Sequence, residues 1–280
     1  EILGRPVGSE MCIRDRSGGG AIHLAVQSRL LVLLLARSAE KTGLRPRAVA
    51  PIGAAHPREP YAGPEFSLVW HAGEPLILPT SWYDQATFIL QRSLAERGAE
   101  GLEFTQHVQT NATLINDAWC DCFHRNRIVV GISVDGPEEI HDAHRRFRNG
   151  RGSHSLAMKG IEALHRNDVP FHCISVLTAD AMEQPERMYR FFRDHGINDV
   201  GFNVEEQEGI HTSSSMQGSA MEAKYRDFLR AFWHLSEQDG YPVVLREFQQ
   251  VISQIQGNQR MTQNELNRPF SILSVDWQGN

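Results

Sequence analysis

The stretch LEFTQHVQTNATLINDAWCDCFHRNRIVVGISVDG, residues 102–136, decides the fold. Leu102–Thr110 reads as a strand. Asn116 can cap a helix near Asp117–His124, and Arg127–Gly136 is a second apolar strand. A strand, an amphipathic helix and a strand in succession make a βαβ unit, and such units build a parallel sheet. The pattern continues outward. Phe66–Trp70 reads as a strand, with a helix around Ser81–Arg97. Beyond Gly136 come a helix over Ser155–Asn167 capped by Ser153, a strand at Phe171–Thr178 and a helix at Pro185–His195. A strand at Asp199–Glu206 and a long helix at Ala220–Gln238 follow. Five strand–helix pairs are visible, and a sixth would have to precede Phe66. A full eight-fold barrel does not fit the remaining length, so the expectation is a partial α/β barrel.

Composition agrees with a globular chain. The 280 residues are 41% hydrophobic and 22% charged, with a net charge of −6. That balance gives no general support for nucleic-acid binding. No apolar run approaches the roughly 20 residues of a membrane span. Four cysteines (Cys12, Cys120, Cys122 and Cys173) are too irregular for a disulfide framework and suit a reduced, cytoplasmic protein. Cys120 and Cys122 are poorly spaced for a metal, and no metal ligand set is read from the sequence. Gly160 lies inside a helix, where it costs about 1 kcal/mol against Ala, and marks close packing.

In α/β barrels the chemistry sits at the carboxyl ends of the strands. The polar residues gather there. His71, Gly73 and Glu74 follow the first visible strand, and Gln109, Thr110 and Asn111 the second. Ser133 and Asp135 follow the third, and Glu205 and Glu206 the fifth. Alternation sends Glu205 and Glu206 to opposite faces, so only one can enter a barrel.

VWHAGEPLILP (69–79), QTNATLINDAW (109–119), VGISVDGPEEIHDAHR (130–145) and GRGSHSLAMKGIEAL (150–164) occur in that order. Together they resemble the radical S-adenosylmethionine (SAM) superfamily, on the peptide-maturase branch that includes sulfatase-maturing enzymes and carries a C-terminal SPASM domain. GFNVEEQEGIHTSSS (201–215) and VDWQGN (275–280) resemble the cyclophane-forming maturases of glycine-rich-repeat precursor peptides. The resemblance implies an α/β fold, a partial (βα)6 radical SAM barrel of parallel strands. It implies a SAM site at Gly73, Glu74, Pro75, Gln109, Asn111, Ser133, Asp135 and Arg145, with His71, Glu205 and Glu206 as further candidates. Arg145 matches the position that holds the SAM carboxylate, as a planar guanidinium can. Ser133 matches a hydroxyl that bonds SAM. Read without the family, Glu74 could cap a helix, and Arg145 could pair with Asp142 or Glu139.

The resemblance fails at one point. The family binds a [4Fe–4S] cluster through three cysteines spaced CxxxCxxC after its first strand. No such spacing occurs in this chain. The apolar run VQSRLLVLLLARS (26–38) stands where it should lie. Codons exist for Val26–Ala36 that, read one nucleotide later, translate as CNLDCSYCYLP. Residues 21–60 are accordingly expected to be out of frame, corrupting the first strand region and cluster loop. Residues 1–20, with VGSEMCIRDR (7–16), resemble a translated sequencing adapter. Residues 61–240 form the barrel, and 241–280 a linker and the start of a truncated SPASM domain. PFSILSVDWQGN (269–280) reads as the opening of that domain.

The resemblance thus implies an enzyme that uses SAM and a [4Fe–4S] cluster to generate a 5′-deoxyadenosyl radical and crosslink side chains of a ribosomal precursor peptide. An electron donor such as a flavodoxin or ferredoxin would serve it. The chain as written, lacking CxxxCxxC, is expected to be inactive. Two alternatives stay open: a clusterless partial barrel that binds SAM or peptide without radical chemistry, and a sulfatase-type maturase.

Overall fold

The computed structural model describes residues 65–71, 73–96, 103–205, 215 and 220–257. Among them, six parallel strands form one open sheet in sequence order: β1 (Glu65–Trp70), β2 (Glu103–Thr110), β3 (Ile128–Ser133), β4 (Phe171–Leu177), β5 (Asp199–Val204) and β6 (Val244–Leu245). A 3₁₀ turn at Pro75–Ile77 follows β1 and leads into α1 (Thr80–Ala95). The crossovers contain α2 (Asp117–Asn126), α3 (Glu138–His144), α4 (His154–Arg166), the single turn α5 (Ala179–Met182), α6 (Pro185–Asp194) and α7 (Ala220–Gln238). After β6 comes α8 (Arg246–Gln256). This is the α/β partial barrel expected from the repeating βαβ pattern. No described helix is long and apolar enough to cross a membrane.

The strand expected before Phe66, the adapter-like and out-of-frame segments, and PFSILSVDWQGN lie outside the described residues. At the other edge β6 extends the sheet, with Asp199 opposite Val244 and Val200 opposite Leu245. Two residues are too few to show alternation, so β6 left no readable signal in the sequence.

Strand alternation splits the sheet into two faces. Val108 of β2, Ile128, Val130 and Ile132 of β3, and Val200 and Phe202 of β5 are buried in the main hydrophobic cluster. They share it with Trp119, Phe123, Leu164, Phe192, Phe228 and Phe232 of the helices. Phe202 makes edge-on contacts with Phe228 at 5.2 Å and Phe232 at 5.5 Å. An aromatic ladder Trp70–Trp82–Tyr83–Trp119 ties β1 to α1 and α2, with centroid spacings of 5.1, 5.0 and 5.4 Å. The odd-numbered residues of β2, β3 and β5 and the even-numbered ones of β4 point the other way. That second, more polar face carries Gln109, Ser133, His172, Asp199 and Asn203 beside Val129, Ile174 and Val176.

Asn116 caps α2 as expected, accepting from the Trp119 amide at 3.1 Å. Ser153 stands at the N-cap of α4 but makes no cap bond with its side chain. Its hydroxyl is engaged elsewhere, as described below. Gly160 does mark close packing: a Cβ there would fall within 3.0 Å of the Ala112 carbonyl oxygen and 3.3 Å from Ile115 Cβ.

Candidate functional site

The turn after β1 needs a glycine, because Gly73 has φ +62°. Ala72 lies outside the described residues, and His71 is exposed. Glu74 is 7% exposed and acts as a clasp. Its Oε1 accepts from the Leu76 amide at 3.0 Å and the Thr110 hydroxyl at 2.7 Å. Its Oε2 accepts from the Asn111 amide at 2.9 Å. Glu74 therefore caps the 3₁₀ turn and also ties that turn to the loop after β2. Burial pushes its carboxyl above the usual range, and the three hydrogen bonds oppose that shift. Pro75 opens the 3₁₀ turn, and its carbonyl accepts from the Tyr83 hydroxyl at 3.0 Å.

The Asn111 side chain closes its own turn. Its Oδ1 accepts from the Thr113 amide at 3.0 Å and the Thr113 hydroxyl at 2.8 Å. Its amide N–H, through Glu74, is the part that shapes the site. Gln109 and Ser133 sit together on the polar face, with Gln109 Nε2 donating to Ser133 Oγ at 2.9 Å. Gln109 pairs laterally with Gly131, and Gly131 with His172. One step back along the β4–β5 register sets His172 opposite Asp199. A Cβ on Gly131 would collide with Gln109 Oε1 and with the His172 ring, whose Nε2 lies 2.7 Å from that point. Glycine leaves the space that the ends of these two polar side chains occupy.

Arg145 pairs with neither Asp142 nor Glu139. It makes a two-pronged ion pair with Asp135, Nε to Oδ2 at 2.5 Å and Nη2 to Oδ1 at 3.0 Å. The two side chains are 10% and 5% exposed. Burial alone would weaken the guanidinium's hold on its proton, but the Asp135 carboxylate outweighs it and keeps Arg145 above its ordinary value. Asp135 Oδ1 also accepts from the Val176 amide at 2.9 Å, fixing the pair to β4. Both Asp135 oxygens are thus engaged by protein donors. Asp142 instead accepts from the Ser153 and His154 amides, and Glu139 pairs with Arg187.

Glu205 continues the β4–β5 ladder, with its amide donating to Leu177 O at 3.1 Å, and its carboxylate accepts from Ser215. Its parity matches Asp199, Gly201 and Asn203, on the polar face. Glu206 lies outside the described residues. The candidates therefore form three groups: Glu74 with the Asn111 turn, Gln109 with Ser133, and Asp135 with Arg145.

Several polar-face residues escaped the sequence reading. His172 is 9% exposed, its Nδ1 has no hydrogen-bond partner, and burial first, then His107 and Arg246, lower its pKa to about 4. Asp199 is raised to about 6 by burial, against the pull of Arg246. The Arg246 guanidinium crosses Gly201, where a Cβ would come within 3.0 Å of it, and donates to Asn203 Oδ1 at 3.0 Å and Glu247 Oε1 at 2.8 Å. Alternation within FHCISVLT could have placed His172 beside Gln109. Arg246 follows the two-residue β6 and had no such signal.

The donor set suits SAM chemically. A buried guanidinium can face a carboxylate, Ser133 and Gln109 can meet hydroxyls or an amino group, and the Gly73 turn brings backbone close. An iron–sulfur cluster does not fit the described residues. Cys120, Cys122 and Cys173 are buried, the Cys173 thiol is pushed up to about 12 by burial, and no group of three metal-ligating side chains occurs among the described residues.

No protein-family model matches the chain. An uncharacterized protein of Synechocystis sp. is 43% identical over 221 residues, covering 79% of this chain and 56% of the relative. The serine-type anaerobic sulfatase-maturating enzyme of Bacteroides thetaiotaomicron is 33% identical over 161 residues, covering 55% and 38%. The chain therefore spans about half or less of the curated relatives it matches. Among solved structures, anSMEcpe with bound AdoMet and the Kp18Cys peptide superposes with a TM-score of 0.61 at 22% identity, over 71% of this chain and 54% of that one. Coproporphyrinogen III oxidase from Escherichia coli, a radical SAM enzyme, gives 0.50 at 12% identity, over 78% and 46%. The chain is thus similar in sequence to anaerobic sulfatase-maturating enzymes and, with its six-stranded parallel sheet, similar in fold to radical SAM enzymes.

Proposed function

We propose that the chain carries the SAM-binding half of a peptide maturase. The buried Asp135–Arg145 pair carries this reading most directly. It holds a guanidinium rigidly at the carboxyl end of β3, the edge where such folds do chemistry. In this reading Arg145 takes the SAM carboxylate, Ser133 and Gln109 take polar groups of the same ligand, and Glu74 with Gly73 shapes the turn beside it. SAM with a reduced cluster would supply the hydrogen-abstracting radical. The residues of this chain bind and orient SAM. The cluster is not expected on the polypeptide as written, and the parental protein would supply its ligands from CNLDCSYCYLP in place of the segment around Val26–Ala36.

The proposed substrate is a ribosomally made peptide, and a low-potential electron carrier the proposed partner. Relatives named as serine-type sulfatase-maturating enzymes favour oxidation of a serine as a second outcome beside side-chain crosslinking. Both remove two hydrogens from the peptide. The test is co-expression of the parental protein, cysteine loop restored, with candidate peptides, read by mass spectrometry. Loss of two hydrogens, abolished by Arg145→Ala, supports the maturase reading. A hydrazide-reactive aldehyde then marks serine oxidation, and a protease-resistant linkage marks a crosslink. Unmodified peptides, despite a loaded cluster and cleaved SAM, would contradict the maturase role.

A further inference from the structure

The Asp135–Arg145 pair is one side of a closed circuit of hydrogen bonds. The Asp135 amide donates to His141 Nδ1 at 3.2 Å. A backbone N–H can only donate, so Nδ1 is an unprotonated acceptor and a neutral ring carries its proton on Nε2. Nε2 lies 2.9 Å from Ser153 Oγ and must be the donor there. Ser153 then spends its single proton on the Arg145 carbonyl at 3.0 Å. Arg145 returns to Asp135 through its guanidinium. Every proton is assigned and none is contested. His141 and Ser153 are 0% and 3% exposed, so no water substitutes for either. Burial lowers His141 to about 4, which keeps it in this neutral form across the physiological range.

The circuit has a consequence for the chain's path. Arg145 ends α3, in an extended conformation (φ −106°, ψ 95°), where the helix no longer fixes its carbonyl. The chain then enters an exposed hairpin in which Arg146 bridges Gly152. Without a tether, the Arg145 backbone would follow that hairpin. Ser153 sits at the hairpin's far end and is pinned through its amide to Asp142 at 2.9 Å. This use of the hydroxyl explains why Ser153 does not cap α4.

We propose that His141 and Ser153 are positioning residues, holding Arg145 at the register in which its guanidinium meets the carboxylate of SAM. The inference rests on the reading that Arg145 binds that carboxylate, and its test separates the two. In the full chain labelled with ¹⁵N-arginine and ¹⁵N-histidine, the solvent exchange of the Arg145 Nε–H reports positioning without SAM. Titration calorimetry with SAM reports binding. His141 should show the Nε2–H tautomer. Ser153→Ala, which removes one oxygen, should speed Arg145 Nε–H exchange at least tenfold and weaken SAM binding at least fivefold. His141→Phe should do the same or more, while Arg146→Ala changes neither. An Nδ1–H tautomer, or unchanged Arg145 exchange in Ser153→Ala, would overturn the proposal. If Ser153→Ala speeds exchange but Arg145→Ala leaves SAM affinity unchanged, the positioning stands and the assigned ligand falls.

Discussion

Replacing Gly160 by Ala sets two effects of known sign against each other. Alanine should stabilise an interior helical position by about 1 kcal/mol. The new Cβ, however, would enter within 3.0 Å of the Ala112 carbonyl oxygen, with Ile115 Cβ at 3.3 Å. The obstruction is a backbone atom in a turn whose Ala112 already has φ +65°, so no side chain can swing away. Overpacking of this kind costs about 1–3 kcal/mol, and the upper end applies where backbone must move. The expected net loss is about 2 kcal/mol once helix propensity is subtracted. The displaced turn also carries the Asn111 amide bonded to Glu74, so the damage reaches the site. Urea unfolding at pH 7 of wild type and Gly160→Ala measures it. Equal or greater stability in the variant would mean that propensity governs and the packing argument is wrong.

Other perturbations have equally definite outcomes. Glu74→Gln must set its NH₂ against a donor, either the Asn111 amide or the Leu76 and Thr110 donors. The buried donor left over costs about 1–3 kcal/mol, offset in part because a buried carboxylate is removed, so urea unfolding should show a loss of about 2 kcal/mol. Gly131→Ala should turn Gln109 away from Ser133 and weaken SAM binding, seen by calorimetry as at least a fivefold rise in Kd. The acid limb of the stability curve tests the buried polar face. His141 and His172, lowered from 6.5 to about 4, stay neutral when folded but take up protons when unfolded. Their contribution is whole above about pH 6.5 and drains away as pH falls to about 4. Asp199, raised from 3.8 to about 6, works in the opposite sense, and its contribution is lost as pH rises through 6. Near pH 5, His172→Gln should therefore flatten the slope of stability against pH by about 1 kcal/mol per unit, and Asp199→Asn should steepen it equally. A slope unmoved by either variant would show that these groups titrate as they do in the unfolded chain.

Much of the fold was legible because the amphipathic helices and apolar strands alternate without ambiguity from Phe66 to Gln238. The helix expected at Ser155–Asn167 is α4 (His154–Arg166), and the strand expected at Phe171–Thr178 is β4 (Phe171–Leu177). The edge strand β6 was not legible, because two residues have no period and Pro242 before them reads as a turn. The candidate residues were legible in the sequence, but their contacts were not. Glu74, Gln109, Ser133 and Asp135 follow or end strands and Arg145 ends α3, yet the sequence could not show that Asp135 spends both oxygens on protein donors. His141 was invisible for a related reason: a histidine on the buried face of a short helix reads as packing, and only the Asp135 amide reveals its tautomer. His172 could have been inferred from strand parity, whereas Arg246 depends on the unseen β6.

The proposed SAM site depends on Arg145. Equilibrium dialysis of radiolabelled SAM against the full chain, beside Arg145→Ala, tests it most directly. Saturable binding at one SAM per chain, weakened at least tenfold by the substitution, is the expected result. Absent binding, or equal affinity in the two proteins, would contradict it.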